Sequence, residues 1–166
     1  MPGFIHQRHK EPVRLERPRE LVLVCAPLRS NVNFSRIVRA AGCSGVRTII
    51  AAGRPRLDRD VARAAADEVQ IETRRTLPPV LRTLKAGGYR LVGLEQTTNS
   101  QNLTAYRFER RTALVIGNER QGLSGDVLDL LDDVVEIPVF GLPYSHNAAT
   151  AAAIALYEYC RQYPGG

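Results

Sequence analysis

Three polar loops hold the side chains of this chain that could do chemistry. The first reads Arg29-Ser30-Asn31-Val32-Asn33, and Arg39 follows Asn33 by six residues as the one charge in an apolar stretch. Charged side chains are seldom buried without a partner, so Arg39 at the edge of a pocket would suit an anionic ligand. The alternative is that Arg39 is a surface residue on an amphipathic helix, next to Arg36.

The second loop, Gly117 to Ser124, has the G-x-x-x-x-G spacing of a phosphate-binding loop. Leu123 stands where the lysine of a Walker motif belongs, and the sequence contains no G-x-G-x-x-G. Walker-type nucleotide sites and dinucleotide-binding sites are therefore disfavoured. Glu119 lies between the two glycines, where its carboxylate could bind a ligand or orient Arg39.

The third loop, Phe140 to Asn147, opens a helix whose first two turns are almost all alanine. The N–H groups at a helix N-terminus are unpaired and carry the positive end of the helix dipole, and alanines allow a ligand or another backbone to approach closely. Ser145 and Asn147 could cap this helix, and the alternative is a capped helix packed tightly in the core. A nucleophile–base pair of Ser145 and His146 is disfavoured, because adjacent residues rarely project together and no third carboxylate is evident.

Apolar runs that alternate with helical patterns must position these loops. Strands are predicted over 21–26, 48–52, 89–94, 113–116 and 134–137. Helices are predicted from Asn31 or Asn33 to Ala41, over 58–69, 77–86 and 123–131, and from Ser145 to Gln162. This alternation predicts an α/β fold, with a mostly parallel sheet and helices on both faces. The three loops then lie at the carboxyl ends of strands, where such folds bind ligands.

Composition bounds the class of protein. The 166 residues fit one domain, and the net charge of +6 is concentrated in residues 1–118, which contain all but two of the 23 lysines and arginines. This imbalance indicates a polyanionic partner, with nucleic acid first, although an arginine-rich surface can also follow genome composition. No apolar run approaches the roughly 20 residues of a membrane span, so no membrane association is expected.

The N-terminal segment and the cysteines indicate the domain boundary and the cellular compartment. Residues 1–19 mix prolines with charges and lack a signal-type apolar stretch, so we expect a mobile basic arm that precedes a domain over 20–166. His6 and His9 have metal-like spacing but no further ligands, so no metal site is expected. Three cysteines without a C-x-x-C pair are typical of a reduced, cytoplasmic protein.

Read together and in order, the three loops resemble the motifs of the SpoU/TrmH group of SPOUT RNA methyltransferases. The motifs are Asn33-x5-Arg39-Ala-Ala-Gly, the run from Leu114 to Ser124, and Ile137-Pro138-x6-Ser145-His146-Asn147 with its alanine helix. The resemblance extends from about Leu21 to Gln162, which is nearly the whole chain. It implies a deep trefoil knot, in which the C-terminal segment threads a loop of the chain.

The resemblance also implies a cofactor, S-adenosylmethionine, and a reaction, methyl transfer to a ribose 2′-hydroxyl of tRNA or rRNA. The cofactor would be held mainly by backbone groups near Leu94, Glu95, Gly117, Ile137, Leu142 and His146. The enzyme would be a homodimer in which Arg39 of one subunit meets the cofactor bound by the other.

Catalytic roles follow from the same resemblance. Arg39 would activate the 2′-hydroxyl together with a substrate phosphate, Asn33 and Glu119 would orient Arg39 and the ribose, and Ser145 and Asn147 would bind the ribose region. Arginine normally stays protonated, so Arg39 would hold the phosphate and stabilise charge on the oxygen rather than act as a simple base.

The sequence departs from the group at two places in the third motif. His146 stands where the group usually has leucine, and Ala148-Ala149 stand where it has a Val-Ser pair. The chain resembles the minimal members, which lack a substantial extra RNA-binding domain, so basic residues of the arm are candidate RNA contacts. Two alternatives remain open: a non-catalytic RNA-binding relative of the same fold, and an unrelated α/β nucleotide-binding protein.

Overall fold

The computed structural model describes residues 3–166 and contains one seven-stranded sheet. The strands are β1 Val22–Cys25, β2 Thr48–Ala52, β3 Gln70–Arg74, β4 Arg90–Leu94, β5 Gln101–Asn102, β6 Thr112–Ile116 and β7 Asp133–Glu136. Their order in the sheet is β3-β2-β1-β6-β4-β7-β5, and every neighbouring pair is parallel. All carboxyl ends therefore lie at one edge of the sheet, as the α/β prediction requires.

Helices cover the sheet between the strands. They are α1 Asn31–Cys43, α2 Arg59–Ala62, α3 Ala65–Glu68, α4 Pro78–Ala86, α5 Gly125–Leu128 and α6 Ala148–Gln162. The longest, α6, has 15 residues. Across residues 3–166, no helix has both the length and the apolar composition that a bilayer crossing requires.

Alternate residues of the strands build two cores, one on each face of the sheet. Leu23 and Cys25 of β1 belong to the cluster that includes residues of α1, α2, α3 and α6, whereas Val22 and Val24 belong to the cluster with α4 and α5. These four side chains are at most 8% exposed, as expected for a parallel strand covered on both sides. Burial in these clusters raises the pKa of the Cys25 thiol to about 12.

The structure corrects several predicted elements. The helix predicted over 58–69 is two short helices, because Arg63 between them has a φ of 57° that breaks the helical path. The predicted helix over 123–131 shortens to the four residues of α5. Two strands were not predicted: β3 lies at the edge of the sheet with mostly polar, exposed residues, and β5 has only two residues.

The helix starts also differ from the prediction. Ser30, rather than Asn31 or Asn33, caps α1, because its hydroxyl accepts the N–H of Asn33 at 3.1 Å. Helix α6 begins at Ala148 and is capped by Asn147, whose Oδ1 accepts the N–H groups of Ala149 and Thr150. One of the two capping residues proposed for α6 is therefore confirmed, and Ser145 is left three residues before the helix.

The segment before β1 contains no helix or strand over residues 3–21. Its last part is nevertheless held, because Arg19 donates to the carbonyls of Ser44 and Tyr163 at 2.6 Å each. The N–H groups of Glu16 and Arg17 donate to the Gly165 carbonyl at 2.9 and 3.3 Å. Met1 and Pro2 of the predicted arm lie outside the described residues, and the mobility of residues 1–19 stays a prediction.

Candidate functional site

A cavity of about 220 Å³ opens at the carboxyl ends of β4, β6 and β7. Most of the residues expected to hold a cofactor line it, namely Leu94, Glu95, Gly117, Ile137 and His146. Leu142 is not among the lining residues, and its side chain is 77% exposed on the loop after β7. The apolar wall also includes Ile116 and Ala151. Loops that are far apart in sequence thus enclose one space beside the start of α6.

The glycine loop after β6 folds back on itself at the wall of this cavity. The backbones of Asn118 and Gly122 exchange two hydrogen bonds of 3.0 Å, and the Asn118 side chain accepts the N–H groups of Arg120 and Gln121. A Cβ atom on Gly117 would lie 2.7 Å from the carbonyl carbon of Gly122, so only glycine fits at this position. The loop therefore presents backbone rather than side chain to the cavity.

Glu95 holds the glycine loop from the opposite side. Its Oε2 accepts the N–H of Leu123 at 2.9 Å, and its Oε1 accepts the N–H of Gln96 at 3.0 Å. Gly122, at a φ of 64°, passes so close that a Cβ there would lie 2.2 Å from Glu95 Oε2. Both carboxylate oxygens of Glu95 are thus engaged by backbone N–H groups, and its own N–H donates to the Val135 carbonyl at 3.0 Å.

A chain of hydrogen bonds joins the three motif loops through side chains. Glu119 Oε1 accepts the Asn33 side-chain amide at 3.2 Å, and Asn33 Oδ1 accepts the amide of Asn147 at 3.2 Å. The N–H groups of Arg29 and Ser30 donate to the two oxygens of Glu119 at 2.9 and 3.0 Å. Asn33 is 9% exposed, so this relay, from Asn147 through Asn33 to Glu119, is fixed beside the cavity.

The electrostatics of Glu119 reflect these donors. Partial burial would raise its pKa, but the N–H groups of Arg29, Glu119 itself and Ser30, with the amide of Asn33, outweigh burial and lower the pKa below its usual value. Glu119 is therefore a fixed negative charge at neutral pH. Its oxygens accept hydrogen bonds and orient the amide of Asn33.

The remaining predicted residues are placed differently. Ser145 lines the cavity with an exposed side chain. Arg39 lies on an exposed face of α1, six residues beyond Asn33, which is about 9 Å along the helix axis. Within residues 3–166 its guanidinium has no hydrogen-bond or ion-pair partner. The structure thus brings Asn33, Glu119 and Asn147 together and leaves Arg39 facing outward.

Two polar residues of the site were not singled out from the sequence. Asn118 ties the glycine loop to the loop after β1, because its amide donates to the Pro27 carbonyl at 2.7 Å. Gln96 donates to the Tyr144 carbonyl at 3.1 Å and so joins the loop after β4 to the loop after β7. Asn118 stands beside Glu119 in the second motif, and this position could have identified it, whereas no pattern marks Gln96.

Solved structures share this fold. The Aquifex aeolicus TrmH/SpoU tRNA modifying enzyme superposes with a TM-score of 0.84 at 27% identity, over 90% of this chain and 78% of that one. The SpoU methyltransferase AviRb from Streptomyces viridochromogenes, crystallised in complex with AdoMet, superposes with a TM-score of 0.78 at 27% identity, over 92% of this chain and 64% of that one.

Sequence relatives agree with the structural ones. The tRNA (guanosine(18)-2′-O)-methyltransferase of Escherichia coli strain K12 is 32% identical over 133 residues, 78% of this chain and 58% of that protein. The Mus musculus enzyme of the same name, TARBP1, is 42% identical over 82 residues, 49% of this chain, and the match spans only 5% of the mouse protein. The sequence model of the SpoU rRNA Methylase family matches residues 20–157. The chain therefore belongs to the SpoU rRNA Methylase family.

Proposed function

We propose that this protein is an S-adenosylmethionine-dependent RNA methyltransferase that methylates a ribose 2′-hydroxyl in tRNA or rRNA. The observation that carries the proposal is the relay from Asn147 through Asn33 to Glu119, which joins all three motif loops beside one cavity. The names of the relatives support the reaction, and they make guanosine 18 of tRNA the first nucleotide to test.

The cavity has the chemistry that the cofactor requires. Apolar walls at Leu94 and Ile137 suit an adenine ring, and the side-chain-free surface of Gly117 leaves room for close approach. The carboxylates of Glu95, Glu119 and Glu136 surround the space, which suits a ligand with a positive sulfonium and an ammonium group. When bound, the cofactor supplies a methyl group already activated by its sulfonium.

We propose that Leu142 joins the cofactor site from the exposed loop after β7. The residues that would hold the cofactor are then Leu94, Glu95, Gly117, Ile137, Leu142 and His146. Glu95 would contribute its backbone carbonyl, since its carboxylate already binds the glycine loop and its N–H donates to Val135. His146, exposed at the mouth of the cavity, would do the same through its main chain.

The protein residues would then align the acceptor ribose. Glu119 fixes the amide of Asn33, and Asn33 in turn fixes Asn147, so the polar groups at the cavity keep one orientation without a bound ligand. Arg39 would bind the substrate phosphate and stabilise negative charge on the 2′-oxygen, and Ser145 would hydrogen-bond the ribose. Catalysis would come mostly from positioning.

We further propose a homodimer that shares its sites, with Arg39 of one subunit acting at the cavity of the other. The unpartnered, outward-facing Arg39 supports this arrangement, as do the exposed apolar side chains of Val32 on α1 and of Ile154 and Tyr157 on α6. Helices α1 and α6 pack together, so these side chains belong to adjoining elements.

Mixing two inactive variants tests the shared site. Arg39→Ala and Asn147→Ala homodimers should each lack methylation, and a mixed dimer should regain it at the one site that holds both intact residues. Sedimentation velocity establishes whether the dimer exists. A dimer in which mixing restores nothing would show that Arg39 acts within its own subunit.

The same proposal includes the deep trefoil knot and the cytoplasmic setting. Support for the knot is that β7 lies between β4 and β5 in the sheet, and that Gln96 after β4 bonds Tyr144 after β7. Support for a reducing cytoplasm is that Cys25, Cys43 and Cys160 are all free. We also retain the division into a basic N-terminal arm over 1–19 and a methyltransferase domain over 20–166.

Calorimetry and methyl mapping test the activity. The wild-type protein should bind S-adenosylmethionine, and Arg39→Ala should abolish methylation of a tRNA transcript while it largely spares cofactor affinity. Arg36→Ala, an exposed arginine on the same helix, is the matched control and should stay active. Absence of binding at millimolar cofactor would refute the proposal, and binding without methylation of any cellular RNA would indicate the non-catalytic relative.

A further inference from the structure

Arginines follow four neighbouring strands at the carboxyl edge of the sheet. Arg75 follows β3, Arg54 and Arg56 follow β2, Arg29 follows β1, and Arg120 follows β6. All five side chains are exposed, and within residues 3–166 none forms an ion pair or a side-chain hydrogen bond. Because β3, β2, β1 and β6 are consecutive in the sheet, these carboxyl-edge arginines form a row about 14 Å across.

Four arginines at the amino edge of the same sheet, by contrast, have partners inside the protein. Arg19 binds two backbone carbonyls, and Arg90 forms an ion pair with Asp133 at 2.8 Å. Arg110 and Arg111 lie over the rings of Tyr163 and Tyr89, at 4.6 and 4.8 Å from the ring centres. Four guanidinium groups at the amino edge thus have partners inside the protein, and exposed Arg47 is the exception within residues 3–166. At the carboxyl edge Arg74 pairs with Glu72, whereas the five arginines of the row have no partner in the described part of the chain.

The row ends at the cavity, because Arg120 is one of its lining residues. We propose that the carboxyl-edge arginines bind the phosphate backbone of the RNA substrate and lead it from the β3 edge to the cavity. Arginine forks match phosphate oxygens, and a row of them accounts for backbone binding without base recognition. This inference rests on the proposed function, since the strand that it guides must present its ribose at the cavity.

A matched pair of charge reversals tests the inference. Arg54→Glu and Arg47→Glu flank the same strand, β2, one at each end, and both replaced side chains are exposed. The two variants have equal net charge and differ by about 16 Å in the position of the change. Arg75→Glu tests the far end of the row. Binding of an unmodified tRNA transcript is measured against salt concentration, with thermal unfolding as the check on folding.

Arg54→Glu and Arg75→Glu should each reduce the slope of log affinity against log salt by about 1 or more, and should weaken binding at 0.1 M salt by about tenfold. Arg47→Glu should leave the slope unchanged. Equal weakening by Arg47→Glu would show a general charge effect and overturn the inference, as would unchanged binding by Arg54→Glu and Arg75→Glu. Cofactor affinity, measured separately, should be equal in all variants, and its absence from the wild type would instead refute the proposed function.

Discussion

At the scale of single residues, Asn33 is the centre of the site, because one amide group joins two loops. Its nitrogen donates to Glu119 and its oxygen accepts from Asn147, so neither partner could be exchanged without turning the amide over. The buried position of Asn33 also means that no water replaces a lost partner easily.

Asn33→Asp replaces the side-chain amide with a carboxylate of nearly the same shape. The new carboxylate would face Glu119 across the 3.2 Å that the amide now bridges, so we expect the free energy of unfolding to fall by about 3 kcal/mol at pH 7. The loss should narrow toward pH 4, where one carboxyl of the pair takes up a proton and donates to the other. Asn31→Asp, in the exposed first turn of α1, is the control and should cost little.

Glu119→Gln tests the lowered pKa of Glu119. The folded pKa lies below the unfolded value of about 4.3, so the ionised group stabilises the protein above that value and loses this effect as pH falls through the folded pKa. The free energy of unfolding of the variant should be about 1–3 kcal/mol lower at pH 7, because an NH₂ group replaces an oxygen that accepts hydrogen bonds.

Denaturant unfolding of wild type and Glu119→Gln across pH 3–7 measures the effect. The difference between the two proteins should be largest near pH 7 and shrink below about pH 4. Glu109→Gln removes an exposed carboxylate that has no hydrogen-bond partner within residues 3–166, and it should change nothing. A difference that is constant with pH would contradict the assignment of the effect to ionised Glu119.

Residue identities and spacing predicted much of this site but not its bonding. The motif loops indicated Asn33, Glu119 and Asn147, and the structure joins them. Sequence spacing could not predict the hydrogen bond from the Leu123 N–H to the Glu95 carboxylate. The two residues are 28 positions apart, and their contact depends on the path of two loops. The outward position of Arg39 likewise follows from how α1 packs, which a motif does not specify.

At the scale of elements, the glycine loop after β6 leaves no room for a side chain at Gly117. Gly117 lies against the backbone of Gly122 and Leu123, which has no rotamer to change. Gly125 begins α5 with nothing within 4 Å of its Cβ position. The two glycines are close in sequence, but Gly117 has no space for a Cβ atom whereas Gly125 has open space.

Gly117→Ala should destabilise the protein by about 1–3 kcal/mol, because the methyl group must displace the returning strand of the loop. It should also weaken S-adenosylmethionine binding in calorimetry, since the loop lines the cavity. Gly125→Ala should be neutral or slightly stabilising, as alanine favours helix. Equal effects of the two changes on cofactor binding would argue against a close-packed role for Gly117.

The predicted elements were most accurate where strands are buried on both faces. Strands β1, β2, β4 and β6 contain the apolar, buried runs that are typical of a parallel sheet covered on both sides. Strand β7 was also predicted, although only Val135 of its four residues is buried. Strand β3 was not predicted, because an edge strand needs few apolar residues. Helices α2 and α3 were predicted as one helix, because nothing in the sequence indicates the positive φ of Arg63.

At the scale of the whole molecule, residues 16–19, just before β1, contact the C-terminal residues. Arg19 binds the Tyr163 carbonyl, and the Glu16 and Arg17 N–H groups bind Gly165, so the start of the folded region is attached to its end. The boundary of the arm expected over 1–19 is therefore best tested from Leu15 onward, where these contacts begin.

Arg19→Ala removes two hydrogen bonds from a charged donor to carbonyl oxygens, so we expect a loss of about 2 kcal/mol in the free energy of unfolding. Limited proteolysis should then cut beyond Leu15 as well as before it. Arg14→Ala, exposed and without a partner within residues 3–166, should keep both the stability and the cleavage pattern of the wild type. Cleavage confined to residues before Leu15 in both variants would contradict a pinning role for Arg19.

The strand order has a consequence for the chain as it leaves the ribosome. Strands β1, β2 and β3 are neighbours, so the three-stranded part of the sheet that Arg54 and Arg75 follow can pair once residue 75 has left the ribosome. Strand β4 pairs only with β6 and β7, which both come later. The cavity needs residues up to Ala151, so it forms only late in synthesis, and an unfinished chain can display part of the arginine row before the cavity beside it exists.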